Sequence, residues 1–187
     1  MFYHASPIPN LKELIPHKSN HNKPLVYLSE KRENTLVYLS NAVEKFCNQN
    51  NIAHSDIIHK WASYGFNQNG ILVLEEFYPN AVEETYSGVN GYVYSVKSNE
   101  NIVQQKDIPF AAVSEQPVLV ESCEFISDAY EEIEHMAEQG LIKINKFENN
   151  SEERLNWIRR TIREEYLLHL DEPEYCAFIK NKFKFLL

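Results

Sequence analysis

Leu25-Val26-Tyr27-Leu28-Ser29, followed by Glu30-Lys31-Arg32-Glu33-Asn34-Thr35-Leu36-Val37-Tyr38-Leu39, is the stretch in which the spacing of apolar residues changes. Up to Leu28 the residues are consecutive, apolar and β-favouring, which predicts a compact strand stopping at Ser29. From Glu30 the apolar positions fall at Leu36, Leu39, Val43 and Phe46, one face of a helix, with Glu33, Glu44 and Lys45 left to water. That helix is expected to run to Asn48–Asn51. Strand and helix therefore alternate within one short segment, and the rest of the chain extends the pattern.

Upstream, Phe2-Tyr3-His4-Ala5 reads as a strand ended by Ser6-Pro7-Ile8-Pro9-Asn10, where two prolines can continue neither a ladder nor a helix. Downstream, Ile52 to Trp61 suggests a short helix, and Gly70 to Phe77 a strand ended by Pro79. Gly91 to Val96 alternates clearly, and Pro117 to Phe125 reads as one more strand. Ser127 is placed to cap a helix that carries Glu131 and Glu132 near its positive end and stops at Gly140. Ser151 to Leu170 reads as a long capped helix with Leu155, Ile158, Ile162 and Tyr166 as its stripe, and Glu174 to Phe185 as the last helix. Irregular alternation of strands and helices predicts an α+β fold, organised as a domain over 1–145 with a C-terminal helical hairpin over 146–187.

Composition narrows the function. The 187 residues are 43% hydrophobic and 12% aromatic, with five glycines and eight prolines, so a folded core is expected rather than disorder or a repeat array. No apolar run is long enough to span a membrane, and Met1-Phe2-Tyr3-His4 lacks a secretory layout, which predicts a cytoplasmic protein with no membrane partner. Cys47, Cys123 and Cys176 are widely separated and are expected as reduced, mostly buried thiols. The net charge of −9 argues against nucleic acid as a partner. Between Glu115 and Glu138 there are eight acids and no Lys or Arg, expected to form a solvated helix face, whereas Lys12 to Arg32 holds five basic residues. His17, Lys18, His21 and Lys23 lie between the first two strands and could favour a pyrophosphate. Neither a phosphate-binding glycine loop nor a Gly-x-Ser-x-Gly or His-Glu-x-x-His motif is present, and the spacing of His54 and His59 does not make a metal site.

Three pieces remain in order: Tyr3-His4-Ala5-Ser6 on the first strand, Val26-Tyr27-Leu28-Ser29 on the second, and Ser114-Glu115 before the apolar run 118–125. This set resembles the ADP-ribosyltransferase family, in the branch that uses a His, a Tyr and an acid on successive strands. It is most similar to the small bacterial group that modifies rifamycins and to poly-ADP-ribose-polymerase-like catalytic domains. The resemblance covers roughly residues 1 to 130 and implies a split mixed sheet with flanking helices. It further implies transfer of ADP-ribose from NAD to a small-molecule or protein acceptor with release of nicotinamide. Glu115 would be the catalytic acid; His4, Ala5, Ser6, Tyr27, Ser29 and Tyr38 would hold NAD. Where the family has Gly after its His, this chain has Ala5, whose backbone can still bond the nicotinamide amide if its dihedrals permit. The Glu-x-Glu pattern of arginine-modifying relatives is absent around Glu115.

The chemistry fits those residue types. Breaking the bond between nicotinamide and ribose develops positive charge on the sugar, which a fixed carboxylate stabilises selectively. An aromatic face such as Tyr27, with Tyr38 as a second wall, stacks on the flat ring, and His4 would donate a hydrogen bond to the other ribose. Taken singly, each residue also has an ordinary role: His4 as a core hydrogen-bonding group, Tyr27 and Tyr38 as packing, Glu115 as a surface acid. Glu121 and Glu124 are the fallback acids. A catalytically silent binding module on the same fold is the rival reading.

Overall fold

The structure, a computed structural model, describes residues 1–18, 23–54 and 64–184. In chain order these form β1 (Phe2–Ser6), β2 (Glu13–Leu14), β3 (His17–Lys18), β4 (Pro24–Ser29), a 3-10 helix (Glu33–Leu39), α1 (Ala42–Gln49), β5 (Tyr64–Phe66), β6 (Leu72–Glu75) and α2 (Ala81–Tyr86). There follow β7 (Gly91–Val96), β8 (Ile102–Gln104), β9 (Ala111–Ser114), β10 (Val118–Leu119), β11 (Ser122–Ile126), α3 (Ala129–Glu138) and β12 (Ile142–Asn145). A short 3-10 turn (Phe147–Asn149), α4 (Glu152–Leu168) and α5 (Pro173–Lys182) complete the chain. The class is α+β. Most of the helix predicted over Ile52–Trp61, with Asp56 and His59, and residue His21 of the basic loop lie outside the described residues.

Two compact units result: Met1–Ser40 with Gly65–Val73 and Tyr86–Lys143, and Asn41–Tyr64 with Leu74–Thr85 and Ile144–Leu187. The C-terminal helices, expected as a hairpin over 146–187 packed on the preceding domain, fall in one unit with α1 and most of α2.

The first unit is built on a seven-stranded sheet of order β11-β7-β1-β4-β9-β8, with β3 added to β4. Every registered pair in it is antiparallel, where a mixed sheet was expected. Because paired residues in an antiparallel ladder share a face, register sorts the side chains. Phe2, Val26, Leu28, Tyr94, Val96 and Ala112 form a core on one face, joined by Leu14 of β2 and Val118 of β10, which pair with each other. Burying each such side chain contributes roughly 1.5–3 kcal/mol. The opposite face, to which Ala5, Val93 and Ile126 belong, is covered by the 3-10 helix and α3 through Leu36, Leu39, Ala129 and Ile133, all buried. Leu39 lies so close to β7 that a Cβ added to Gly91 would meet its Cδ2 at 2.5 Å and the Ser6 carbonyl at 3.2 Å.

Three local expectations are corrected. The single helix predicted from Glu30 is broken: after the 3-10 segment Ser40 is extended (φ −144°, ψ 154°), and Asn41 caps a new helix by accepting from the Val43 and Glu44 N–H groups. Asn competes for backbone donors in this way, which is why it starts helices rather than continuing them. The single strand over Pro117–Phe125 is two, since β10 pairs with β2 whereas β11 pairs with β7. The handover is visible at Val120, which donates to Lys12 O, and Glu121, which donates to Ser95 O. Asp128, not Ser127, caps α3: its Oδ1 accepts from the Tyr130 and Glu131 N–H groups, and its Oδ2 from the Gly88 N–H.

In the second unit Ser151 caps α4 as predicted, and Ile158 and Ile162 are its buried positions. Edge-to-face rings fill the interior, Phe178 lying 5.7 Å from Phe46 and 6.3 Å from Tyr78. The buried carboxylate of Glu76 accepts from the Val82 and Phe147 N–H groups, so its charge serves two turn starts. Cys47 and Cys176 are buried and Cys123 is exposed. No helix among the described residues is long and apolar enough to cross a membrane.

Candidate functional site

The first unit's sheet is uneven. β1 registers with β7 at five residue pairs and β4 with β9 at four, but β1 meets β4 only at Tyr3↔Ser29. The N–H of Glu30, just past β4, donates to Phe110 O, so even-numbered positions of β4 turn their backbone groups to β9, and Ser29 and Tyr27 turn theirs to β1. An uninterrupted ladder would next pair Tyr27 with Ala5. Instead the Tyr27 carbonyl accepts from the ring of His4, Nδ1 to O 2.9 Å. The side chain of β1 thus takes the place of its backbone, and the ladder opens from this point towards Ser6 and Pro24. The alternation that aims Tyr3's backbone groups at β4 aims those of Ala5 into the opening.

A carbonyl can only accept, so Nδ1 carries the proton. Burial lowers the His4 pKa, outweighing the opposing effect of the bond to Tyr27, and the nearby His17 lowers it further. The neutral ring with Nδ1–H leaves Nε2 as an acceptor. This reverses the polarity expected of His4, which was to donate.

The other predicted residues separate into groups. Ala5 is buried. The Ser6 hydroxyl is buried and accepts from the Ile8 N–H at 3.2 Å; the Ser29 hydroxyl, also buried, accepts from the Lys31 N–H at 3.1 Å, so both are turn-forming groups. Tyr27 pairs with Val113 and belongs to the face covered by the 3-10 helix, whereas His4, paired with Tyr94, belongs to the core face. Tyr38 is carried by the 3-10 helix itself and is 55% exposed.

Glu115 follows β9 in a turn closed by Ser114, whose Oγ donates to Gln116 O (2.7 Å) and accepts from the Gln116 N–H (3.1 Å). It is two residues past Val113, Tyr27's partner on β9. It lies at the end towards which the β1–β4 split opens, exposed and paired with Lys23 at 3.2 Å. Glu121 pairs with Lys97 at 2.5 Å. Glu124 lies on β11, whereas Glu121 precedes it at the handover from β10.

Sequence reasoning missed the strongest charge cluster. Arg32 forks onto Glu124, Nε–Oε2 and Nη2–Oε1 both 2.8 Å, and its Nη1 bonds Glu132 Oε1 at 2.6 Å. With Glu115 on Lys23 and Glu121 on Lys97, four residues of the acidic block are therefore ion-paired rather than merely solvated. Within Glu115–Glu138 there is no Lys or Arg, and Arg32 is the first arginine of the chain, so an unmatched charge was the available signal. His17 and Lys18 form β3 and are exposed. Among the described residues no group of His, Cys, Asp and Glu could hold a metal ion.

No family model, curated protein or solved structure matches this chain.

Proposed function

We propose that the chain is an NAD-dependent ADP-ribosyltransferase whose dinucleotide lies at the split between β1 and β4, with nicotinamide released and ADP-ribose passed to an acceptor. The observation that carries the reading is the His4–Tyr27 bond at a single-pair ladder, because it couples the first-strand His to the second-strand Tyr and opens backbone groups between them. The Ala5 N–H and C=O are complementary to a carboxamide, which offers one acceptor and two donors. Tyr27 and Tyr38 supply the ring walls. His4 Nε2 accepts from a ribose hydroxyl rather than donating to it.

Glu115 is the acid of this reading. As the glycosidic bond lengthens, its carboxylate stabilises the cationic ribose, and its reach is set by the turn after β9. The ion pair with Lys23 is exposed and contributes roughly 0–1 kcal/mol, so it does not hold the carboxylate away. Glu124 is the poorer choice because both of its oxygens are occupied by Arg32.

The exposure of Glu115 favours a second reading, a catalytically silent binding module of the same fold. The test is NAD titration with calorimetry, followed by nicotinamide release. Glu115→Gln is expected to bind NAD like the parent chain and to release nicotinamide about 10²- to 10³-fold more slowly. Binding without release in the parent chain supports the silent module; absence of both rejects the fold-based reading altogether.

A further inference from the structure

The long helix α4 buries one side only. Ile158 and Ile162 are its buried residues, and the side turned away from them ends in leucine, Leu167 at 57% exposure beside Leu168 at 73%. Single exposed leucines are ordinary, but two adjacent ones followed by the exposed Leu170 form a patch. With 3.6 residues per turn, the exposed side carries Glu153, Trp157, Arg160, Glu164 and Leu167 at alternating spacings of four and three, the stripe through which helices pair lengthwise. Trp157 is 37% exposed and fixed in place, with Phe77 edge-to-face at 5.7 Å and the Arg154 guanidinium 4.0 Å from its ring centroid. Arg160 and Glu164 are exposed, and neither side chain is hydrogen-bonded or ion-paired to a described residue. Arg placed four residues before Glu is the poorer orientation for a bond within the helix.

The stripe is symmetric about the position of Ile162: Arg160 and Glu164 lie two residues to either side, Trp157 and Leu167 five. Laid antiparallel on its own copy, it sets Trp157 against Leu167 of the partner subunit and Arg160 against Glu164 of the partner subunit. A two-fold axis makes each contact twice, so two apolar contacts flank two pairs of opposite charge. We propose that the exposed side of α4 is a two-fold interface through which this chain pairs with a second copy of itself. The charge order selects that occupant, because one cation and one anion at these positions are matched by the same stripe read in reverse. Glu153, the outermost residue of the stripe, gains no opposite charge, since the acid past the helix end is Asp171. A helix of 17 residues is about 25 Å long, so the contact falls below the roughly 1,200 Å² of standard interfaces and the dimer is weak. The pairing is independent of the transferase reading.

The experiment is analytical ultracentrifugation of the full-length chain from about 5 to about 500 μM, where a weak dimer shows itself by mass action. A reductant is present so that the exposed Cys123 cannot cross-link. The parent chain is expected to follow a monomer–dimer equilibrium with a Kd of about 10–100 μM. Arg160→Glu and Glu164→Arg, each alone, place like charges across the axis and should raise that Kd at least about tenfold. An equimolar mixture of these two variants should dimerise about as well as the parent, because together they restore opposite signs at both pairs. Leu167→Ser should also raise the Kd about tenfold while leaving the urea midpoint of the monomer unchanged, since the side chain is already exposed. A parent chain that stays monomeric throughout, or that assembles beyond a dimer, overturns the proposal. So does a mixture of the charge variants that remains monomeric. If either charge variant fails to fold, Leu167→Ser decides alone, and dimerisation as strong as the parent's overturns it.

Discussion

Replacing His4 tests whether its ring does two separable things, one with each nitrogen. An asparagine amide reproduces the Nδ1–H of histidine but not Nε2, and an alanine reproduces neither. His4→Ala removes the ring donor that the Tyr27 carbonyl has at 2.9 Å, a hydrogen bond whose net contribution is about 0.5–1.5 kcal/mol. The lost packing of a half-buried ring adds about 1 kcal/mol. The sum, about 1.5–2.5 kcal/mol, corresponds to a Tm lowered by roughly 3–10 °C for a chain of this size. His4→Asn restores the bond and should recover at least half of that loss. It removes the Nε2 acceptor, so NAD affinity should stay low even as stability returns. Urea unfolding and calorimetric titration of the three proteins measure both quantities. If Asn is no more stable than Ala, the ring does not bridge the split. If Asn binds NAD as well as His, Nε2 has no part in the site.

Three further outcomes follow from the same geometry. Because burial depresses the folded His4 pKa below its unfolded value of 6.5, the unfolded chain takes up a proton first, and stability is lost as pH falls below that value towards the folded pKa; the difference in urea midpoint between the parent chain and His4→Asn should therefore shrink from pH 7.5 to 5.5, and a difference independent of pH rejects a neutral ring. Asn34 is 5% exposed and both polar atoms of its amide make no hydrogen bond to any described residue, so the similarly sized Asn34→Leu should raise the urea-derived stability by about 1–2 kcal/mol, whereas a loss shows that the amide is satisfied in solution. Gly91→Ala places a Cβ against Leu39 and the Ser6 carbonyl and should cost about 1–3 kcal/mol with the Tm falling accordingly, and an unchanged Tm means that Leu39 moves aside freely.

Local structure was most legible where one rule acted alone. The alternation in Gly91–Val96, the strand stop at Ser29 and the Ser151 cap are short-range signals, and the corresponding elements form there. The run 117–125 failed because a strand's period says nothing about its partner: Val118 and Glu124 both read as strand, yet they belong to different sheets. Strands of two to four residues such as β2, β3, β8 and β9 carry too few residues to show a period and exist through pairing. The helix from Glu30 was read through Ser40 and Asn41 because the apolar spacing continued across them, although Asn41 was itself the stronger signal.

The candidate site shows the same division between what is local and what is assembled. Residue types and their order pointed to His4 and Tyr27, but their relation, a ring nitrogen bonded to a strand carbonyl, depends on two strands that stay apart after a single pair. A sequence encodes that separation only through the competition between one side-chain donor and one backbone donor for the same oxygen. The ring's bond gives the Tyr27 carbonyl a donor while the strands diverge. Among the predicted residues, then, His4 is the one whose loss should close or disorder the split, whereas Tyr27, Tyr38 and Glu115 can be replaced with the opening still in place.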